Sequence, residues 1–289
     1  MSLRDALEND GLIIAPGVYD ALSGLIASQS GAQTLYLSGA SLAYTRFGTS
    51  DIGLISVSEV NDTIAAITDR INTPIIVDAD TGFGNALNVQ RTVRSFERSG
   101  AHAIQLEDQS FPKKCGHLDG KKLVSTQEMV GKIKAALDAR ASEETLIIAR
   151  TDARAVEGFA EATERAWAYK EAGADILFVE APQSLQEMQN ICTEFSAQIP
   201  LLANMVEGGK TPISSASELA KLGYKIAIFP GGAVRSISHH LQAYYSGLLT
   251  HGNNQKFSDK MHDFEGLNDL LGTKDLIELG CKYEDQGNI

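Results

Sequence analysis

The sequence predicts an α/β fold, a closed (β/α)8 barrel of the TIM type with additional C-terminal helices. Three observations carry this. Short apolar runs recur eight times along the 289 residues, each ending in a polar, Gly or Pro stop. Most are continuous rather than alternating, as strands buried on both faces of a parallel sheet require. Helical patterns fill the intervals and no linker splits the chain, so strand-then-helix units follow one another. An open doubly wound sheet is the alternative that the same pattern allows.

In order, the runs are LIIAPG (12–17), LYLSG (35–39), PIIVDAD (74–80), AIQLED (103–108), TLIIARTD (145–152), ILFVEA (176–181), PLLANM (200–205) and IAIFPG (226–231). Segment 125–139 opens STQE, which predicts a capping box with Ser125 at the cap and Glu128 three residues on. Segment 157–173 sets Phe159, Ala162, Ala166 and Tyr169 on one helical stripe. Gly31, Gly100 and Gly173 each precede an alanine and a strand, the expected C-terminal stop of a helix. Trp167 is expected at a helix-to-barrel contact. The chain reads as one domain, 1–289. Its segment 255–289 forms a helical extension whose apolar residues need a partner surface, expected on a neighbouring subunit of a homo-oligomer.

The totals narrow the function classes. With 25 basic and 37 acidic residues the net charge is −12. Nucleic acid and anionic membranes need a basic face and are not expected partners. The three cysteines, Cys115, Cys192 and Cys281, are an odd number with no framework spacing. The N-terminus lacks a signal-peptide pattern and no run is long enough to span a bilayer. A cytoplasmic location is the expectation.

Catalytic residues of such a barrel sit where strands end. Those ends supply Ser38 and Gly39, Asp78 and Asp80, Glu107 and Asp108, Arg150 and Asp152, Glu180, Asn204 and Pro230-Gly231-Gly232. Asp78 and Asp80 are two apart and are expected to share a strand face, with Glu107 on the next strand. Three converging acids suit a hard, oxygen-loving Mg²⁺. Ion pairing with Arg150 and the lysines is the alternative. GFGNAL (82–87) lacks the third glycine of a dinucleotide fingerprint, so its glycines are read as turn formers. FPGGAVR (229–235) is either an anion cradle or a turn.

The loop FPKKCGHLDGKKLVS (111–125) follows the fourth strand. Lys113, Lys114 and a protonated His117 are expected to lower the pKa of Cys115, readying it as nucleophile or acid–base. Gly116 and Gly120 are expected to let the loop open and close over the acids.

KKCGH (113–117), with YLSGA (36–40), VDADTGFG (77–84), LEDQ (106–109), ARTDA (149–153), EA (180–181) and AN (203–204), resembles the isocitrate lyase and phosphoenolpyruvate mutase superfamily over nearly the whole chain. The KKCGH loop points to its lyase branch, similar to 2-methylisocitrate lyase or the alkylmalate-cleaving relatives. The resemblance implies a magnesium-dependent carbon–carbon lyase (manganese could substitute) that takes a small carboxylic acid substrate, working as a homotetramer. Asp51, Asp78, Asp80 and Glu107 would hold the metal. Tyr36, Ser38, Gly39, Ala40, Gly116, Asn204 and Arg235 would bind substrate. Cys115, with Lys113 and His117, would protonate the departing acid, while Arg150 and Glu180 orient it. Val206, Gly208, Gly232 and Gln105 depart from the methylisocitrate lyase pattern, which leaves an alkyl- or dialkylmalate as a rival substrate. Further alternatives are an oxaloacetate decarboxylase or other α-keto acid enzyme, a phosphonomutase and a non-catalytic barrel.

Overall fold

The computed structural model describes residues 2–9, 11–212 and 214–283. The chain forms two compact units, Met1–Val234 and Arg235–Ile289. The first is the barrel. Its strands are β1 (Ile13–Val18), β2 (Leu35–Leu37), β3 (Ile75–Asp78), β4 (Ala103–Glu107), β5 (Leu146–Thr151), β6 (Ile176–Val179), β7 (Leu202–Asn204) and β8 (Ile226–Phe229). Each coincides with one of the apolar runs. All pairings are parallel, in the order β6-β5-β4-β3-β2-β1-β8-β7. An isolated parallel bridge from Leu177 to Leu201 brings the remaining edges together.

The helices of this unit are α1 (Leu3–Glu8), α2 (Ala21–Gln29), α3 (Gly39–Phe47), α4 (Val57–Thr68), α5 (Ala86–Arg98), α6 (Thr126–Ala139), α7 (Ala153–Val156), α8 (Phe159–Glu171), α9 (Leu185–Phe195) and α10 (Ala216–Leu222). Small polar residues start most of them: Asp20, Ser38, Ser56, Asn85, Ser125, Ser184 and Ser215 each accept a first-turn N–H. At Ser125 only half of the expected box forms. Its hydroxyl takes the Glu128 N–H, but the Glu128 side chain turns towards Lys132, 3.8 Å away. The stops at Gly31, Gly100 and Gly173 adopt φ of 92°, 97° and 101°. Trp167 makes a helix-to-helix contact rather than the expected helix-to-barrel one. Its ring lies 5.0 Å from Phe195 of α9 and its Nε1 donates to Glu194, because the apolar floor of α8 is taken by Ala162, Ala166 and Tyr169.

Strand alternation sorts the core into two layers. Ile75, Val77, Ile104, Leu106, Ile147, Ala149 and Leu177 face the helices. Ile13, Ala15, Tyr36, Ile76, Ala103, Leu146, Ile148, Ile176, Phe178, Leu202, Ile226 and Ile228 fill the barrel, with Leu3 and Leu7 of α1 packed against the strand starts. Arg4 of α1 reaches Asp175, just before β6, at 3.0 Å.

The second unit contains most of α11 (Gly232–His251), a 3-10 turn (Gln255–Lys260), α12 (Phe264–Leu271) and α13 (Thr273–Cys281). Within it the Tyr244 and Phe257 rings meet edge to face at 5.5 Å. A Cβ at Gly247 would lie 2.5 Å from the Phe257 ring, so that contact requires glycine. Leu249 and Phe264 are 84% and 88% exposed. Residues 284–289 of the expected extension lie outside the described residues. Among the described residues no helix is long and apolar enough to cross a membrane.

Candidate active site

The inward-facing rows of the barrel change from apolar to polar as the strands rise. On β5 the row runs Leu146, Ile148, Arg150; on β4 it runs Ala103, Gln105, Glu107; on β6 Ile176 and Phe178 lead to Glu180; on β7 Leu202 leads to Asn204. The register sets Glu107 beside Arg150 and Asp78 beside Gln105. One period of two thus builds both the core and the floor of a polar site.

Arg150 is the centre of that floor. It grips Asp152 through two hydrogen bonds of 2.9 and 3.1 Å and lies 3.2 Å from Glu107, with its guanidinium over the Phe178 ring. Asn204 donates to Glu180 at 3.1 and 3.3 Å. On the other side Tyr36 donates to Gln105, whose amide donates to Asp78 at 3.3 Å. Asp78 and Asp80 do converge, but not along a strand. β3 ends at Asp78, and Asp80 adopts a left-handed φ of 47°, which turns its carboxylate back. A Cβ on Gly39 would lie 3.2 Å from Asp78 Oδ2 and 3.3 Å from Asp80 Oδ1, so the start of α3 packs directly against both carboxylates. Ser38 caps α3, and Gly39 and Ala40 form its first turn.

The loop after β4 closes over this floor. Its base is tied by Gln109–Leu123 bridging and by Val124 N–H to Asp108. Lys113 Nζ lies 2.5 Å from Asp51 and 2.7 Å from Asp80. Cys115 N–H donates to the Asp51 carbonyl at 3.2 Å. Gly116 seats against the floor so closely that a Cβ there would lie 2.2 Å from Glu180 Oε1 and 2.5 Å from Arg150 Nη2. Lys210 N–H donates to His117 Nδ1 at 3.0 Å, which directs Nε2 of the ring to Glu180, 3.4 Å away. The structure therefore gathers Tyr36, Ser38, Gly39, Ala40, Asp51, Asp78, Asp80, Glu107, Lys113, Cys115, Gly116, His117, Arg150, Glu180 and Asn204 in the barrel unit. Arg235 belongs to the second unit and is exposed there. At the Gly-Gly turn, a Cβ on Gly232 would lie 3.1 Å from Glu207 Oε1, so an acid flanks the segment, which favours the turn over the anion cradle.

The electrostatics correct one expectation. The Cys115 thiol is pushed up, not down: burial dominates, and the charges of Asp51 and Glu180 add to it. The basic neighbours are otherwise engaged, Lys113 with two aspartates and Lys114 with the Asp119 carbonyl. His117 is held neutral, its pKa lowered chiefly by burial. Cys115 is thus a protonated thiol. Burial works against the Lys113 ammonium, but Asp80, Asp51, Glu107 and Asp78 outweigh it and raise its pKa well above the usual value.

Asp51, Asp80 and Glu107 stand in ion pairs here, Asp78 accepts from the Gln105 amide, and among the described residues no three His, Cys, Asp or Glu side chains form a ready metal-binding group. Their chemistry nonetheless fits a divalent cation. Six buried carboxylates, Asp51, Asp78, Asp80, Glu107, Asp152 and Glu180, face three buried cations, Lys113, Lys121 and Arg150. Glu107 Oε1 is buried without a partner, and Asp80 Oδ1 meets the Lys113 ammonium only as an ionic contact, without hydrogen-bond geometry. Burial, with Asp78 and Asp51, lifts Asp80 to about 7, and burial lifts Glu107 well above its usual range, the behaviour of carboxylates short of positive charge. All the donors are hard oxygens.

Some of the site was not legible beforehand. Lys121 reads in sequence as one of a solvated lysine pair, yet its side chain is 1% exposed and lies 3.2 Å from Asp152. Lys210 carries no motif. Gln105 is marked only as a departure, not as the link between Tyr36 and Asp78. The Arg150–Asp152 pair had a signal, since two residues apart at a strand end can chelate one another.

The phosphoenolpyruvate phosphomutase family model matches residues 3–249. The chain is 42% identical to 2,3-dimethylmalate lyase of Eubacterium barkeri over 283 residues, covering 97% of this chain and 96% of that one. It is 46% identical to 2-methylisocitrate lyase of Aeropyrum pernix over 273 residues, covering 94% and 87%. A crystal structure of 2,3-dimethylmalate lyase superposes with a TM-score of 0.93 at 36% identity, covering 99% of this chain and 97% of that one. Phosphonopyruvate hydrolase in complex with oxalate and Mg²⁺ superposes with a TM-score of 0.88 at 29% identity, covering 97% of each. The barrel, the polar floor and these likenesses agree, and the chain belongs to the phosphoenolpyruvate mutase/isocitrate lyase superfamily.

Proposed function

We propose that the chain is a divalent-metal-dependent carbon–carbon lyase. It cleaves a 2-hydroxy di- or tricarboxylic acid, an alkyl-substituted malate or 2-methylisocitrate, into an α-keto acid such as pyruvate and a second carboxylic acid. The names of the two lyase relatives support the substrate class. The observation that carries the reading is the protonated Cys115 thiol, on a loop whose next residue seats on Arg150 and Glu180. A Mg²⁺ or Mn²⁺ ion held by Asp51, Asp78, Asp80 and Glu107 would polarise the substrate hydroxyl and its carboxylate. The phosphonopyruvate hydrolase complex supports magnesium.

The Ser38 hydroxyl and the N–H groups of Gly39 and Ala40 that open α3 take the carboxylate of the keto-acid half, above Tyr36. Arg150, fixed by Asp152, and Asn204, fixed by Glu180, orient the departing half. As the carbon–carbon bond breaks, the substrate 2-hydroxyl gives its proton to the Asp80 carboxylate, lifted to about 7, and becomes the keto oxygen, while the electron pair of the broken bond moves into the departing acid as an enolate. The Cys115 S–H gives its proton to that α-carbon. Lys113 and neutral His117 place the thiol, and glycine at 116 lets the loop exclude water. Val206, two residues after Asn204, is buried and apolar where the methylisocitrate lyase pattern has a threonine, which supports an alkyl substituent.

The exposed apolar residues of the second unit, Leu249 and Phe264 among them, support a homo-oligomer, proposed as a tetramer. The free thiol at the site supports a reducing, cytoplasmic setting. The test is a panel of 2-methylisocitrate, isocitrate, 2,3-dimethylmalate, citramalate and oxaloacetate with Mg²⁺, following keto-acid release. Cleavage of a substituted malate or of methylisocitrate is expected. Turnover of oxaloacetate alone, or of phosphonopyruvate, would overturn the reading.

A further inference from the structure

We propose that Lys121 is a positioning residue that latches the Cys115 loop shut, by tying the Gly116 carbonyl of the loop to Asp152 of the barrel floor. The inference rests on the lyase reading for its purpose, but its geometry stands alone. Lys121 comes from the returning limb of the loop, and its side chain is 1% exposed. Its Nζ donates to the Gly116 carbonyl, next to Cys115, and lies 3.2 Å from Asp152 Oδ1. Asp152 is fully buried and held by Arg150 through two hydrogen bonds. It is also placed by its own N–H, which donates to Asp108 at 2.9 Å. Asp108 in turn accepts from Thr151 and Tyr169. The anchor is therefore fixed without Lys121, and Lys121 adds a tie to the loop at the carbonyl next to the thiol.

Gly116 explains why a latch is needed. Its backbone lies flush on Glu180 and Arg150, so closing the loop removes water from the carbonyl. A buried carbonyl needs a donor. Lys121 supplies it and adds attraction to Asp152. The ammonium of Lys114, on the same loop, donates to the Asp119 carbonyl of the loop itself. Of these two loop lysines, Lys121 couples thiol position to the residues that orient substrate.

The test uses iodoacetamide alkylation of Cys115, read by mass spectrometry, at fixed alkaline pH in a Cys281→Ser background. Lys121→Met is expected to speed alkylation about tenfold or more, as loss of a buried charge-assisted contact frees the loop. Lys114→Met is expected to stay within about twofold of the parent, as suits a solvated lysine. Equal rates for the two variants would overturn the proposal. If Lys121→Met loses its native circular-dichroism spectrum, Lys121→Gln, which keeps a donor but not the charge, is read instead and is expected above about threefold. Unfolding of both would overturn it as well, because a latch is dispensable to the barrel. The assay needs neither metal nor substrate. A tenfold contrast with no cleavage of any acid would keep the latch and sink the lyase reading; cleavage with no contrast would do the reverse.

Discussion

The backbone N–H of Cys115 donates to the carbonyl of Asp51 at 3.2 Å, while Lys113, two residues earlier, binds the Asp51 carboxylate at 2.5 Å. One residue of the β2–β3 region thus holds both the loop that carries the thiol and the ammonium that faces the acids. Loop position and charge at the acid cluster are coupled through Asp51.

That coupling sets the ionisation of the thiol. Because burial, Asp51 and Glu180 raise the Cys115 pKa, the S–H form is the folded form at neutral pH and is lost only as pH rises through the raised value. Cys115 alkylation followed against pH is predicted to show a midpoint above the usual thiol value of about 8.5. A midpoint below that value would restore the picture of an activated thiolate.

The close seating of Gly116 makes a steric prediction. Gly116→Ala places a methyl group within 2.2 Å of Glu180 Oε1, so the loop must stand off the floor. Cleavage is predicted to fall about 10²-fold, the cost of misplacing a reacting group by an ångström. The melting temperature is predicted to change little. Steady-state kinetics and calorimetry on the same sample check both.

The partnerless Glu107 Oε1 and the excess of buried acids around Asp80 predict a response to metal. Mg²⁺ at about 100 times its dissociation constant is predicted to stabilise the fold by about 2.7 kcal/mol. Thermal melting measures this without any turnover. Asp80→Asn is predicted to abolish the shift, and a chelator to abolish cleavage in the parent.

Asp108 is buried and accepts from Thr151, Tyr169, Arg165 and the Asp152 N–H. Tyr169→Phe removes one donor from a group that cannot reach water. A loss of about 1–3 kcal/mol in stability is predicted from denaturant unfolding, with kcat little changed.

The sequence revealed local facts better than distant ones. Each strand was visible because continuous Val, Ile and Leu runs have few other uses, and the strand ends named Glu107, Arg150, Glu180 and Asn204. Asp78 and Asp80 were correctly paired for a partly wrong reason: the left-handed turn at Asp80, not strand alternation, brings them together. The ionisation of Cys115 was misread because the neighbours of a residue in the chain need not be its electrostatic partners. Lys113 and Lys114 are adjacent to the thiol in sequence but spend their charge elsewhere. Lys121 was hidden because nothing local distinguishes a buried lysine from a solvated one.

Cleavage depends on the proton that Cys115 delivers. The most direct measurement is keto-acid release by Cys115→Ser against the parent protein, with Mg²⁺ and whichever substituted malate or methylisocitrate the parent cleaves. A fall of about 10²–10⁴-fold is predicted, with the melting temperature and the response to Mg²⁺ retained. Cleavage at the parent rate would contradict the account.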